Sequence, residues 1–109
     1  MGFSVITWRE LDRLLESNKK IAVIDLRKPE YYAKERILGS LSLPFEELEE
    51  RLDEVPKDCP DLFYCDWGSK SMLVCRSLAR MGYTCASLAS GFRNYRGKFI
   101  DRRPLGAIE

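Results

Sequence analysis

Leu62-Phe63-Tyr64-Cys65-Asp66-Trp67-Gly68-Ser69-Lys70-Ser71 is the stretch that decides the fold and points to the chemistry. Leu62 to Tyr64 has the apolar, aromatic character of a buried strand end, and Ser71 to Met81 carries helical periodicity. Cys65 therefore stands at a strand-to-helix junction, facing the N–H groups and positive dipole end of the following helix, which stabilise a thiolate. Gly68 lets the loop curl so that successive N–H groups converge on one anion. Lys70 adds a cation. A turn that merely contains a small apolar residue is the plain alternative, but position, glycine and lysine agree on a cradle for a charged sulfur.

Outward from this loop the chain alternates strand and helix signals. Thr7-Trp8-Arg9-Glu10 fits a capping box, followed by an apolar stripe of Leu11, Leu14 and Leu15. Ile21 to Leu26 is the continuous apolar run of a central strand covered on both faces. Pro29 opens a short helix over Glu30 to Lys34. Ile37 to Pro44 predicts a turn into a short strand stopped by proline, and Phe45 to Val55 an acidic amphipathic helix with Leu48, Leu52 and Val55 inward. Pro56 to Pro60 is a linker. In the helix after the loop, Val74, Cys75, Leu78 and Ala79 share one face, and Gly82 is placed to end it. Thr84 to Ala89 predicts a last strand, and Gly91-Phe92-Arg93-Asn94-Tyr95 begins a terminal helix. The expected fold is α/β in three layers: a central, mostly parallel sheet of about five strands with helices on both faces. It occupies residues 1–97 as one domain, with 98–109 an irregular tail. Ligands of such sheets bind beyond the carboxyl ends of the strands, where Cys65 falls.

Composition narrows the chemistry. The chain has 109 residues, 45% hydrophobic and 32% charged, which suffices for one domain with a real core. A net charge of +1 provides no field that would draw in nucleic acid or a membrane. The basic residues Arg93, Arg96, Lys98, Arg102 and Arg103 are balanced by acids elsewhere and are expected to be a solvated surface. Histidine is absent, so Ser-His and Cys-His dyads and histidine metal ligands are excluded. Cysteines at 59, 65, 75 and 85 form no C-x-x-C pair, which argues against a zinc site or a thioredoxin-type motif. Cys75 and Cys85 are expected in the core and Cys59 in a loop. The N-terminal residues are too weakly apolar for a signal segment or membrane span. These features predict a reducing, cytoplasmic protein with free thiols and no metal or organic cofactor.

At this point the chain resembles the rhodanese family of sulfurtransferases, in its small single-domain form. Asp25-Leu26-Arg27 followed by Glu30-Tyr31 looks like the family's aspartate-x-arginine … glutamate-tyrosine segment. Arg36 to Pro44 is similar to its histidine-isoleucine-proline-glycine-alanine … proline motif. Cys65 to Ser71 resembles the cysteine-x-x-glycine-x-arginine-serine loop, and Ser90 to Tyr95 the closing glycine-glycine element. Lys70 stands where the family has arginine, Arg36 and Leu38 where it has histidine and proline, and Ser90 where it has glycine. Asp66 sets a negative group beside the nucleophile, which disfavours a dianionic donor such as thiosulfate.

The resemblance implies a catalytic Cys65 that takes a sulfane sulfur as a persulfide. The loop Asp66, Trp67, Gly68, Ser69, Lys70 and Ser71 would hold that persulfide through backbone N–H groups, with Lys70 attracting the donor. Asp25 and Arg27 would pair to brace neighbouring loops. The implied partners are a small sulfur donor, thiosulfate-like or a persulfide, and a thiol, cyanide or sulfur-carrier protein as acceptor, with no nucleic acid and no membrane. Three alternatives stand beside this reading. One is a regulatory or interaction module that keeps the fold with little or no turnover. A cysteine phosphatase fits less well, because its longer loop carries arginine at the sixth position after cysteine, where Ser71 stands here. The third is a redox sensor that pairs Cys59 with Cys65.

Overall fold

The computed structural model describes residues 2–106. Five strands form one sheet in the order β1-β6-β5-β2-β4, every neighbouring pair parallel. They are β1 (Ser4–Ile6), β2 (Ala22–Asp25), β4 (Leu41–Ser42), β5 (Asp61–Tyr64) and β6 (Cys85–Leu88). A second, antiparallel pair joins β3 (Arg36–Ile37) to β7 (Ile100–Asp101). Three α-helices connect the strands: α1 (Trp8–Glu16), α2 (Pro29–Lys34) and α3 (Ser69–Arg80).

Local sequence explains most boundaries. Thr7 and Glu10 close the capping box at the start of α1, the Glu10 carboxylate accepting from the Thr7 N–H at 2.8 Å. Pro29 occupies the first turn of α2. At the end of α3 the chain turns at Gly82, whose φ of +95° is left-handed, and Tyr83 N–H returns to the Leu78 carbonyl at 3.1 Å.

Alternation along the strands sends side chains to two cores. Ile24, Leu26, Phe63 and Cys65 pack with Val74, Cys75 and Leu78 of α3 on one face, with Phe45, Leu48 and Leu52 against them. Val23, Leu62, Tyr64 and Leu88 pack with Leu11 of α1, Phe92 and Tyr95 on the other. Cys75 and Cys85 are buried as expected. Both faces are thus covered, as the α/β reading requires.

Three segments differ from expectation. Phe45 to Val55 is not one helix but two 3₁₀ turns, Phe45–Glu47 and Leu52–Glu54. Its apolar residues still face the core, yet four glutamates at near-helical spacing repel one another, and Arg51 clamps Glu47 and Glu54 at 2.9 and 2.7 Å instead. The segment after Gly91 makes only the 3₁₀ turn Phe92–Asn94 before Tyr95 becomes extended. The tail after Lys98 is ordered through β7, and residues 107–109 lie outside the described residues. Buried Arg36 fixes that tail: it donates to the Arg103 carbonyl at 2.6 Å and lies 3.5 Å from the Asp101 carboxylate. Among the described residues, no helix is long and apolar enough to cross a membrane.

Candidate active site

The chain runs outward from β2 to β4 on one side and from β5 to β6 on the other, so strand order reverses between β2 and β5. A crevice opens beyond the carboxyl ends of strands at such a point. It is present here as a cavity of about 320 Å³, lined by Leu26, Arg27, Lys28 and Tyr31 on the β2 side and by Cys65 to Trp67, Ser69 and Lys70 on the β5 side.

Cys65 follows β5 directly and is 4% exposed. Two backbone N–H groups converge on its sulfur, from Gly68 at 3.1 Å and Ser71 at 3.4 Å. The sequence reading expects the N–H groups from Asp66 through Ser71 to serve; in this state Gly68 and Ser71 are the ones bonded to the thiol. Gly68 has φ of +106°, a left-handed conformation that a side chain would strain, and it begins α3 so that the helix's free N–H end is aimed at the sulfur. The Ser71 hydroxyl, 3.6 Å from the sulfur, donates to the Gly68 carbonyl at 3.0 Å and lies 2.7 Å from the Ser87 hydroxyl. Ser87, fully buried on β6, is a site residue that sequence reasoning missed. Its signal was a serine inside an otherwise apolar strand, a polar group that must find a partner when buried.

A second missed element is the turn after β6. Phe92 N–H donates to the Cys65 carbonyl at 2.8 Å and Arg93 N–H to the Asp66 carbonyl at 3.1 Å, tying the loop down from behind. Gly91 makes this approach feasible: a Cβ there would stand 2.2 Å from the Asp66 carbonyl oxygen and 2.6 Å from the Trp67 nitrogen. Ser90, next to it, holds a left-handed φ of 63°, a conformation in which glycine is unstrained, and the Asn94 amide pins its carbonyl at 2.9 Å.

The remaining expected residues fall as follows. Arg27 and Asp25 do pair: the guanidinium donates from Nη2 at 2.8 Å and from Nε at 3.1 Å, both groups being buried. Burial alone would lower the Arg27 pKa, but the hydrogen bonds and charge of Asp25 more than offset it and hold the guanidinium above its ordinary value. Arg27 also donates to the Glu35 carbonyl at 2.6 Å and stacks 4.2 Å over the Phe92 ring, which locks the β2 loop to the turn behind Cys65. Beneath it, burial and the Asp25 charge raise the Tyr64 phenol well above its usual value. Its oxygen accepts from Ile37 N–H at 3.1 Å. Lys70 and Trp67 stand at the rim, both exposed. The Lys70 ammonium is 3.6 Å from Glu46, and Arg93 covers the Trp67 ring at 4.8 Å. Ser69 and Asp66 both line the cavity. Cys59 lies before β5, at the end of the strand opposite Cys65. The strand spans about 13 Å, beyond the reach of a disulfide, so the Cys59–Cys65 sensor does not fit this fold.

Comparison with known proteins agrees with this fold. The thiosulfate sulfurtransferase PspE of Escherichia coli (strain K12) is 34% identical over 73 residues, covering 65% of this chain and 70% of that protein. A sulfurtransferase of Allochromatium vinosum is 32% identical over 73 residues, 67% of this chain and 68% of its own. Among solved structures, a rhodanese-related protein from Thermoplasma volcanium superposes with a TM-score of 0.84 at 19% identity, covering 93% of this chain and 100% of that one. The rhodanese-like domain profile matches residues 7–98, from the α1 cap to the tail, and the chain belongs to the rhodanese-like domain family of sulfurtransferases.

Proposed function

We propose that this protein carries sulfane sulfur as a persulfide on Cys65, taking it from a small-molecule or protein persulfide donor. The acceptor is a thiol, cyanide or a sulfur-carrier protein. One observation carries the reading: a nearly buried cysteine at the strand-order reversal, its sulfur held by two N–H groups at the start of α3 and facing a 320 Å³ cavity. Backbone donors do not titrate and need no reorganisation, so they suit a site whose anion alternates between sulfur atoms.

In the loading step the Cys65 thiolate attacks the sulfane sulfur of the donor. A new S–S bond forms to Cys65, the donor's bond to its outer sulfur breaks (S–S in thiosulfate or a persulfide, C–S in mercaptopyruvate), and its electron pair leaves with sulfite, a thiolate or the pyruvate enolate. In the discharge step a nucleophilic acceptor attacks the outer sulfur, and the Cys65 thiolate is released with the electron pair of the bond that breaks. Neither step changes the overall redox balance. Lys70, on the cavity rim, draws anionic donors in, and the Asp25–Arg27 pair keeps the two loops at a fixed separation. We place this chemistry in a reducing, cytoplasmic setting, where the Cys65 thiol stays available between turnovers.

Steady-state sulfur transfer to cyanide, read as thiocyanate formed from thiosulfate, mercaptopyruvate or a thiol persulfide, tests the proposal. Turnover with at least one donor and its loss in Cys65→Ser is the expected result. Folded wild type inert toward all three donors would instead favour a regulatory module that retains the fold.

A further inference from the structure

Behind Asp66 lies a second and larger cavity, of about 550 Å³. Tyr31 and Asp66 line both cavities, so the two are adjacent across a shared wall. Phe92 and Tyr95, stacked 6.2 Å apart, also line the second cavity, together with Arg93, Arg96 and Arg102. Arg102 is already spent on Glu35 at 2.8 Å. Arg93 and Arg96 have no carboxylate partner among the described residues. They are nonetheless positioned: Arg96 is anchored by two bonds from Nη1 to the Arg93 and Tyr95 carbonyls at 3.1 Å, and Arg93 rests on the Trp67 ring. Each retains unused donors in a planar fork suited to a carboxylate.

The charge order along the two cavities is informative. Around the sulfur the charges are mixed, Asp66 and Glu46 against Lys28 and Lys70, with Arg27 held by Asp25; farther out stand two guanidinium groups with no carboxylate partner among the described residues. A thiol persulfide with carboxylates at its far end matches: its reacting end lies in the first cavity and its anionic end in the second.

Resting on the sulfurtransferase reading above, we infer that Arg93 and Arg96 form a subsite for the carboxylate end of a low-molecular-weight thiol persulfide, whose outer sulfur reaches Cys65 past Tyr31 and Asp66. The Cys65 thiolate attacks that outer sulfur, the donor S–S bond breaks, and the free thiolate R–S⁻ departs with the electron pair while its carboxylates remain on the arginines. The concave shape suits a small molecule.

The test compares single-turnover loading of Cys65, followed by intact mass, from glutathione persulfide and from the uncharged persulfide of 2-mercaptoethanol. Wild type is expected to load from the carboxylate-bearing donor about tenfold faster, a preference that shrinks as salt is raised. In the double variant Arg93→Gln/Arg96→Gln the ratio of the two rates falls toward one, and Arg93→Lys/Arg96→Lys recovers part of it. Equal rates from both donors in wild type, or an unchanged ratio in the Gln variant, would overturn the subsite while leaving the sulfurtransferase reading intact. Loading from neither donor would overturn the subsite, and the same failure with thiosulfate and mercaptopyruvate would overturn the sulfurtransferase reading as well. A ratio near one for both small persulfides, alongside fast loading from a persulfidated protein, would assign the arginines to a protein partner and overturn the small-molecule subsite.

Discussion

Gly91→Ala is expected to damage the site more than the fold, and the structure sets the scale. Two glycines have positive φ angles, Gly39 at +80° and Gly91 at +70°, but Gly91 also has ψ of −174°, a region open essentially to glycine alone, and the two differ in surroundings. A Cβ on Gly39 meets nothing within 4 Å, whereas one on Gly91 meets the Asp66 carbonyl oxygen at 2.2 Å, its carbon at 2.5 Å and the Trp67 nitrogen at 2.6 Å. Gly39→Ala therefore costs only the conformational penalty, about 1–2 kcal/mol. Gly91→Ala adds an overpacking cost of about 1–3 kcal/mol, since the atoms in the way are backbone and cannot rotate aside. Relief requires the Asp66–Trp67 peptide to move by roughly 1 Å, and a misplacement of that size beside a reacting group costs about 100-fold in rate. Urea unfolding and single-turnover sulfur loading of Cys65, measured on both variants, separate the two effects. Gly39→Ala should lose stability and load normally; Gly91→Ala should lose more stability and load about 100-fold more slowly. Equal stability losses with wild-type loading in both would refute the view that the turn behind Cys65 sets the loop's position.

Further outcomes follow from buried polar groups. Asp61 is enclosed with neither carboxylate oxygen hydrogen-bonded, and burial, assisted by the Asp58 charge, pushes its pKa up to about 7. A carboxyl raised in the folded state favours folding at low pH and loses that advantage as pH rises toward the folded value. Wild type should thus weaken against Asp61→Asn by about 2–3 kcal/mol between about pH 5 and about pH 8 in urea titrations, and a pH-independent difference would show that Asp61 titrates normally. Arg27→Met strands the Asp25 carboxylate and should cost about 3–5 kcal/mol, with part recovered in Asp25→Asn/Arg27→Met; an Arg27→Met protein as stable as wild type contradicts the pair's bracing role. Ser87→Ala removes the 2.7 Å partner of Ser71 and should cost about 1 kcal/mol, with slower sulfur loading; unchanged loading kinetics would limit Ser87 to packing.

The parts of the molecule legible in the sequence were those written in local pattern. The apolar run ending at Leu26, the capping box at Thr7 and the strand–Gly–helix grammar around Cys65 each specify their element within a few residues, and together they placed the cysteine at the end of a parallel strand. What escaped depends on chain-distant contacts. Nothing near Ile100 announces that it will pair with Ile37, or that Arg36 will reach the Arg103 carbonyl. Leu48, Leu52 and Val55 have helical spacing, but the glutamate run and the bond from Phe45 N–H to the Leu26 carbonyl at 2.9 Å favour short turns over one helix. In the site itself, Asp25, Arg27 and the loop were readable, whereas Ser87 and Gly91 act on Cys65 only because β6 lies beside β5.

Intact-protein mass spectrometry with peptide mapping, after exposure to thiosulfate, mercaptopyruvate or a thiol persulfide, tests the central claim most directly. The expected result is one added sulfur on Cys65 alone, absent in Cys65→Ser and removed by cyanide or a thiol. An unmodified Cys65 with every donor, in folded and reduced protein, would contradict it, as would a removable sulfur carried on Cys59, Cys75 or Cys85 instead.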